Sequence, residues 1–344
     1  MPDFVFATCA PGLEPAVKRE LLRTRPELRF AYSRPGLVTF KSPRAVTPED
    51  PPGSVFARVW GRSIGAAADP AAAAAQLAAL GPDRVHAFPR EPAAAPDAAP
   101  DAAPDAAQAR ALELAPWQAL GPGGPAAPGE LVADVIVARG EPAWLGVHRH
   151  DAARPAHPGG AIPVALPPDA PSRAYGKIEE AIAWARLPVA AGQVALEIGA
   201  APGGAALALA RRGLTVWGVD PGALAPAVLA HPGVRHVPKK VGALRWEELP
   251  PRVDWLLLDV NLAPQVALHE LARLAPPLLP SLLGAVLTLK LNDWAFVDEL
   301  PALVERIRRI FGSALPDVRL RHLPSNRREI CAVATRDPAP AGAG

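Results

Sequence analysis

Val194-Ala-Leu-Glu-Ile-Gly-Ala-Ala-Pro-Gly-Gly204 decides how this chain is read. Five residues of buried-strand character run straight into a glycine-rich turn and then into an Ala/Leu-rich helix. Strand, tight turn and helix in that order form one step of an α/β sheet. Glycine has no Cβ, so such a turn lets backbone approach a ligand closely. Alone, the turn says only that a nucleotide-like ligand would fit there.

Working outward, residues 172–336 alternate strands with helices. Strands are expected at 194–198, 215–219, 234–237, 255–258, 285–289, 317–323 and 329–334. Helices are expected at 203–212, 264–279 and 295–311. The alternation predicts a doubly wound, mostly parallel seven-stranded sheet covered on both faces, an α/β Rossmann-like domain. The last two strands, separated only by Pro324 to Arg328, form a terminal hairpin, so one of them runs antiparallel. In such sheets ligands sit outside the carboxyl ends of the strands. The first strand ends in Gly199–Gly204 and the second in Asp220. An acid about 20 residues past the glycine turn accepts hydrogen bonds from ribose hydroxyls. That spacing fits a dinucleotide or S-adenosyl-L-methionine. Gly-Ala-Ala-Pro-Gly-Gly lacks the dinucleotide spacing, and this with the terminal hairpin favours S-adenosyl-L-methionine.

The N-terminal half reads differently. A small α+β unit spans 1–45: strand Asp3–Cys9, turn Ala10–Gly12, helix Leu13–Arg23 and strand Leu37–Lys41. A second region, 46–160, starts with Ser54–Trp60 and holds strands at 131–137 and 143–148. It is interrupted at about 91–108 by Pro-Asp-Ala-Ala repeats that cannot build a core and are expected to be disordered. Residues 161–171 read as a proline-rich linker and 337–344 as a disordered tail.

Bulk composition adds less. The 344 residues carry a net charge of +2, compatible with a nucleic-acid partner without arguing for one. Two cysteines, Cys9 and Cys331, share no motif, which favours a reducing, cytoplasmic setting. The N-terminus does not read as a signal peptide, and no uncharged apolar run approaches the ~18 residues of a membrane span. The sequence does not fix an oligomeric state; a monomer is compatible with it.

Four charged residues fall where the sheet would gather them. Asp259 follows the buried run Leu256–Leu258 at a strand tip, where it is either functional or a helix cap. Lys290 closes Ala285–Leu289 and must snorkel or hold a partner. Lys177 opens a helix at Ile178–Arg186, where a cation opposes the helix dipole. Glu329 begins the last strand and alone reads as a surface charge. His148, His150 and His157 lack metal-site spacing, so no metal is expected. With Arg149 and Arg154 they read as an RNA path or a solvated loop. Trp217, Trp246 and Trp255 read as core.

Taken jointly, Pro171–Ala181, Gly199–Gly204, Leu258-Asp259, Leu289-Lys-Leu291 and Arg328-Glu329 resemble the FtsJ-type ribose 2′-O-methyltransferases, whose mark is a Lys–Asp–Lys–Glu tetrad. More narrowly the chain resembles the large-subunit (23S) rRNA cytidine 2′-O-methyltransferases that carry an N-terminal THUMP region. Ala10–Glu14, Val55–Trp60 and Pro168–Ala181 add to that match. The resemblance implies a methyltransferase acting on rRNA, with the N-terminal half gripping RNA. It implies Lys177, Asp259, Lys290 and Glu329 as catalytic residues, Lys290 being the general base toward a ribose 2′-hydroxyl. Crowding beside Lys177 would lower the Lys290 pKa, while Asp259 and Glu329 would oppose that shift. Gly199, Ala201, Pro202, Gly203, Gly204, Asp220 and Asp259 would contact S-adenosyl-L-methionine. The same chemistry on another RNA site, or a non-catalytic RNA-binding relative, are the alternatives. The chain departs from the family at Glu197, where Asp is common. It also departs at Lys240-Val241-Gly242, where an adenine-side Asp is expected, and at Ala174, where a serine is expected.

Overall fold

The computed structural model describes residues 3–50, 54–90, 104–151, 154–291 and 296–336. The chain divides into two compact units, with the division after Ile162, inside the stretch read as a linker.

The first unit contains β1 (Asp3–Thr8), α1 (Glu14–Thr24), β2 (Arg29–Arg34), β3 (Leu37–Ser42), β4 (Trp60–Ala67), α2 (Pro70–Ala78), β5 (Arg84–Pro89), α3 (Pro104–Gln118), β6 (Leu131–Val137) and β7 (Ala143–Arg149). Its strands form one sheet in the order β2-β3-β1-β4-β7-β6-β5. β1 pairs with both β3 and β4, so the sheet continues across the boundary read near residue 45. Of the stretch 91–108, residues 104–108 belong to α3, and 91–103 lie outside the described residues, as does the tail 337–344.

The basic loop read from the sequence is corrected here. His148, His150 and Arg154 are buried. His148 Nδ1 lies 2.6 Å from Asp134 Oδ2, and Arg154 pairs with Asp151 and donates to the Asp50 carbonyl at 2.8 Å. The long-range partners Asp134 and the Asp50 carbonyl, invisible to local sequence, hold His148 and Arg154 inward, and His150 is buried beside them, so these three line neither a solvated loop nor a surface path. Burial, with His148 beside it, pulls the His150 pKa down to about 4.

The second unit contains α4 (Ala174–Ala185), β8 (Val194–Ile198), α5 (Gly204–Arg211), β9 (Thr215–Val219), α6 (Pro226–Leu229), β10 (Val234–Val237), β11 (Trp255–Leu258), α7 (Pro264–Leu274), β12 (Gly284–Lys290), α8 (Phe296–Phe311), β13 (Asp317–Arg321) and β14 (Glu329–Thr335). The sheet order is β10-β9-β8-β11-β12-β14-β13, with β14 antiparallel to both neighbours. The Rossmann-like expectation therefore holds, terminal hairpin included. From β8 the chain winds one way through α5 to β9. From β11 it winds the other way through α7 to β12. Right-handed crossovers in opposite directions put α5 and α7 on opposite faces. The strands are apolar on both sides for that reason; β11 and β14 are buried throughout.

Two helix boundaries differ from expectation. α7 stops at Leu274, not 279, because Pro276 and Pro277 cannot continue the backbone ladder. α4 begins at Ala174, four residues before the expected start, where the Ala174 amide donates to Ser172 Oγ at 3.3 Å. Lys177 therefore lies within the first turn, its amide bonded to the Arg173 carbonyl at 3.1 Å. Ala295, placed at the start of the last helix, lies outside the described residues.

Candidate active site

The site grows from the end of β8. Gly199 has φ +90°, and a Cβ there would stand 2.2 Å from the Asp259 carbonyl oxygen. Only glycine lets the ends of β8 and β11 come so close. The Asp259 amide donates to Ile198 O at 2.9 Å, which fixes the carboxylate beside the turn. Gly204 plays the matching part between helices: a Cβ would fall 2.3 Å from Ser172 Oγ and 2.8 Å from the Tyr175 amide. The first turn of α4 thus packs onto the start of α5, which brings Lys177 over the sheet edge.

There the four charged residues close into a ring of alternating sign. Lys177 Nζ lies 3.3 Å from Asp259 Oδ2 and pairs with Glu329 Oε1. Lys290 Nζ lies 3.0 Å from Asp259 Oδ1 and 3.0 Å from Glu329 Oε2. All four side chains are largely withdrawn from solvent, from 8% exposed at Glu329 to 23% at Asp259. Two ammonium groups and two carboxylates cancel, which makes so much charge tolerable at a half-buried edge.

The electrostatics revise one expectation. Burial is the largest influence on Lys290 and disfavours its charge, but Asp259 and Glu329 together outweigh it. Its pKa ends above the ordinary lysine range rather than below it. Glu329 shows the converse: burial raises its pKa, but Lys177 and Lys290 overcome this and hold it low. At rest Lys290 is an ammonium.

Beneath the ring a small cavity of about 30 Å³ is lined by Lys177, Glu197, Asp259, Thr288, Asn326 and Cys331. Glu197 is buried, and its Oε2 has no partner among the described residues. Burial, reinforced by Asp259, raises its pKa well above the usual carboxylate range.

Beside the ring opens a cleft of about 700 Å³, the size of a nucleoside-bearing ligand. Four of the residues expected at a cofactor, Gly199, Ala201, Asp220 and Asp259, line it. Pro202, Gly203 and Gly204 do not line it; Gly203 abuts Val228 and Gly204 abuts α4. Asp220 accepts from the Ala201 amide at 3.1 Å and the Gly222 amide at 2.7 Å. A carboxylate offers about four lone-pair sites, so it keeps capacity for two ligand hydroxyls. Bare backbone at Gly199, a fixed acid at Asp220 and apolar walls at Val260 and Leu262 together fit an adenosyl group.

Lys240, Val241 and Gly242 also line the cleft. So do Val266 and Glu270 of α7, which the sequence reading did not pick out. Their signal is faint: Leu262 and Val266 are apolar yet 37% and 48% exposed, at the start of an amphipathic helix. Trp246, read as core, is 51% exposed; its indole N–H donates to the Arg273 carbonyl at 3.1 Å, which holds it across the surface. Trp255 is core and Trp217 only partly so.

No protein-family model matches the chain. It is similar to the ribosomal RNA large subunit methyltransferase M of Alkalilimnicola ehrlichii, 37% identical over 187 residues, covering 51% of this chain and 48% of that one. The protein of the same name from Halorhodospira halophila is 42% identical over 114 residues, covering 31% of this chain and 32% of that one. The match thus spans about half or less of these curated relatives' length. Among solved structures, TrmN from Thermus thermophilus aligns over 97% of this chain and 99% of its own, with 18% identity and a TM-score of 0.36. The resemblance read from the sequence is therefore to proteins that carry the rRNA methyltransferase name.

Proposed function

We propose that this protein is an S-adenosyl-L-methionine-dependent methyltransferase that methylates a ribose 2′-hydroxyl of large-subunit rRNA, at a cytidine. The observation that carries the reading is that Asp259 belongs at once to the cleft and to the ring with Lys290. A methyl-donor pocket and a proton-accepting site then share a wall. The similarity to large-subunit rRNA methyltransferases supports the substrate class.

The cleft residues Gly199, Ala201 and Asp220 would hold the cofactor, Asp220 through the ribose hydroxyls. The cofactor supplies an electrophilic methyl group on a positively charged sulfur, a like charge that opposes the ammonium of Lys290. Lys290, after giving up its proton to solvent, would take the 2′-hydroxyl proton at Nζ, leaving that oxygen to receive the methyl group with S-adenosyl-L-homocysteine as the leaving group. Asp259 and Glu329 orient Nζ and stabilise the ammonium that results. Lys177 neutralises the same two carboxylates from the other side. Much of the rate comes from positioning, which the strand ends provide.

The N-terminal region 46–160 serves as the THUMP-like grip on RNA, helped by the subdomain before it. The edge strand β2 supports this role, presenting Arg29, Phe30 and Arg34 to solvent, with Lys18 Nζ 4.2 Å from the Phe30 ring centroid. Basic and aromatic groups together suit a single-stranded backbone and its bases. A cytoplasmic location follows from an rRNA substrate.

Incubation of the protein with methyl-labelled S-adenosyl-L-methionine and unmodified large-subunit rRNA tests the reading. Label is expected in the large-subunit RNA with wild type and lost with Lys290→Ala. Absence of transfer to any RNA, with cofactor binding verified, overturns it.

A further inference from the structure

The order of residues along the sheet edge gives the cleft a direction. Asp259 closes β11, Gly199 follows β8, Asp220 follows β9, and Lys239 to Ala243 follow β10. A ligand with its reactive end at Asp259 and its ribose at Asp220 must send its base toward residues 240–243. That end is walled by Val241, Ala243, Leu262 and Val266, which offer apolar surface and no side-chain acceptor. The lysines there, Lys239 and Lys240, can only donate. Lys239 is in addition paired with Glu248.

Among the described residues, one carboxylate stands at this end, and Asn261, next to Leu262, also lines the cleft. Glu270, in the second turn of α7, lines the cleft with its side chain 21% exposed. Its Oε2 accepts both Nε (3.1 Å) and Nη2 (3.0 Å) of Arg273. Oε1 receives no hydrogen bond from any described residue and lies 3.7 Å from the position a Cβ would take at Gly242. Arg273 also donates to the carbonyls of Val241 at 2.6 Å and Leu244 at 2.9 Å. The guanidinium therefore ties Glu270 to the loop forming the base end of the cleft, with one oxygen left over. A fixed, unengaged acceptor at the edge of an apolar slot matches one chemical feature of an adenine: its exocyclic amino group.

We infer that Glu270 is the residue that reads the base, Oε1 accepting a hydrogen bond from the adenine 6-amino group and Arg273 holding the carboxylate in place. The inference rests on the cofactor reading above and adds to it the residue that sets base specificity. A charge-assisted hydrogen bond of this kind corresponds to roughly 10- to 100-fold in affinity. A 6-oxo base presents an acceptor to the same oxygen and is disfavoured.

The test is calorimetric titration of the full chain with S-adenosylhomocysteine and with S-inosylhomocysteine, in which the 6-amino group is replaced by oxygen. Wild type is expected to prefer the adenosyl compound by roughly 10- to 100-fold. Glu270→Ala is expected to lose that preference to within about threefold, chiefly through weaker adenosyl binding. Glu270→Gln keeps the side chain's shape and its tie to Arg273. Its amide can donate to a 6-oxo group, so the inosyl compound is expected to gain affinity relative to wild type. An unchanged adenosyl-to-inosyl ratio in both variants, with wild type binding the adenosyl compound, overturns the role of Glu270 alone. Wild type binding neither compound overturns the cofactor reading and this inference with it.

Discussion

Lys290 and Glu329 are register partners across the antiparallel pair β12 and β14, the last residue of one strand facing the first of the other. Because β14 alone runs against its neighbours, its first residue lies at the sheet edge where parallel strands place their last. Strand reversal is thus what brings a second carboxylate to the ligand-binding edge. A fully parallel sheet would put Thr335 there instead.

Replacing Glu329 by glutamine leaves two ammonium groups around Asp259 alone. A loss of roughly 1–3 kcal/mol is expected, discounted from a fully buried pair because the lysines keep some solvent. The Glu329 pKa is lower folded than unfolded. Its contribution is therefore present above the ordinary glutamate value, about 4.3, and is lost as pH falls through the folded value. Urea unfolding should show wild type and Glu329→Gln far apart at pH 7 and converging in acid. A gap that stays constant down to pH 3 would contradict the ring electrostatics.

Glu197 has the opposite sign. Its pKa is raised on folding, so the stability due to its neutral form is complete below about pH 4.3 and is lost as pH rises through the folded value. Glu197→Gln is isosteric and always neutral. The variant should gain on wild type as pH rises, by up to about 1.4 kcal/mol per pH unit while wild type still holds its proton. Equal pH dependence of the two proteins would mean that Glu197 is charged in the folded state.

Gly199→Ala should cost about 1–3 kcal/mol of backbone strain, with a further penalty from overlap with the Asp259 carbonyl. Gly192, with φ +83° and nothing within 4 Å of its Cβ position, separates the two effects. Gly192→Ala should show strain only and leave S-adenosylhomocysteine affinity unchanged, whereas Gly199→Ala should weaken it. Melting curves and calorimetry of both variants check this. Equal affinity in both would show that the β8–β11 contact does not shape the cleft.

The parts of the site legible in the sequence are those whose signal is local. The turn at 199–204 is contiguous, and Asp259 and Lys290 each end an apolar run, so burial next to charge is visible in one dimension. Glu329 has no such mark; its place depends on the antiparallel hairpin. Glu270 was not legible because its role comes from Arg273 binding the 241–244 loop, a tertiary relation. The buried His148 misled for a similar reason, since its partner Asp134 sits on the neighbouring strand β6. β2, with Arg29, Phe30 and Arg34 exposed on a sheet edge, lacks the alternation that marks a half-buried strand.

The central claim, that Lys290 deprotonates a ribose hydroxyl, is tested most directly by where the methyl group lands. Large-subunit rRNA labelled by the protein would be hydrolysed in alkali, which needs a free 2′-hydroxyl beside each phosphodiester. The expected result is label in an alkali-resistant dinucleotide containing cytidine, reduced roughly 10²- to 10⁴-fold by Lys290→Ala. Label released in mononucleotides, as a base methylation would give, or undiminished transfer by Lys290→Ala, would contradict it.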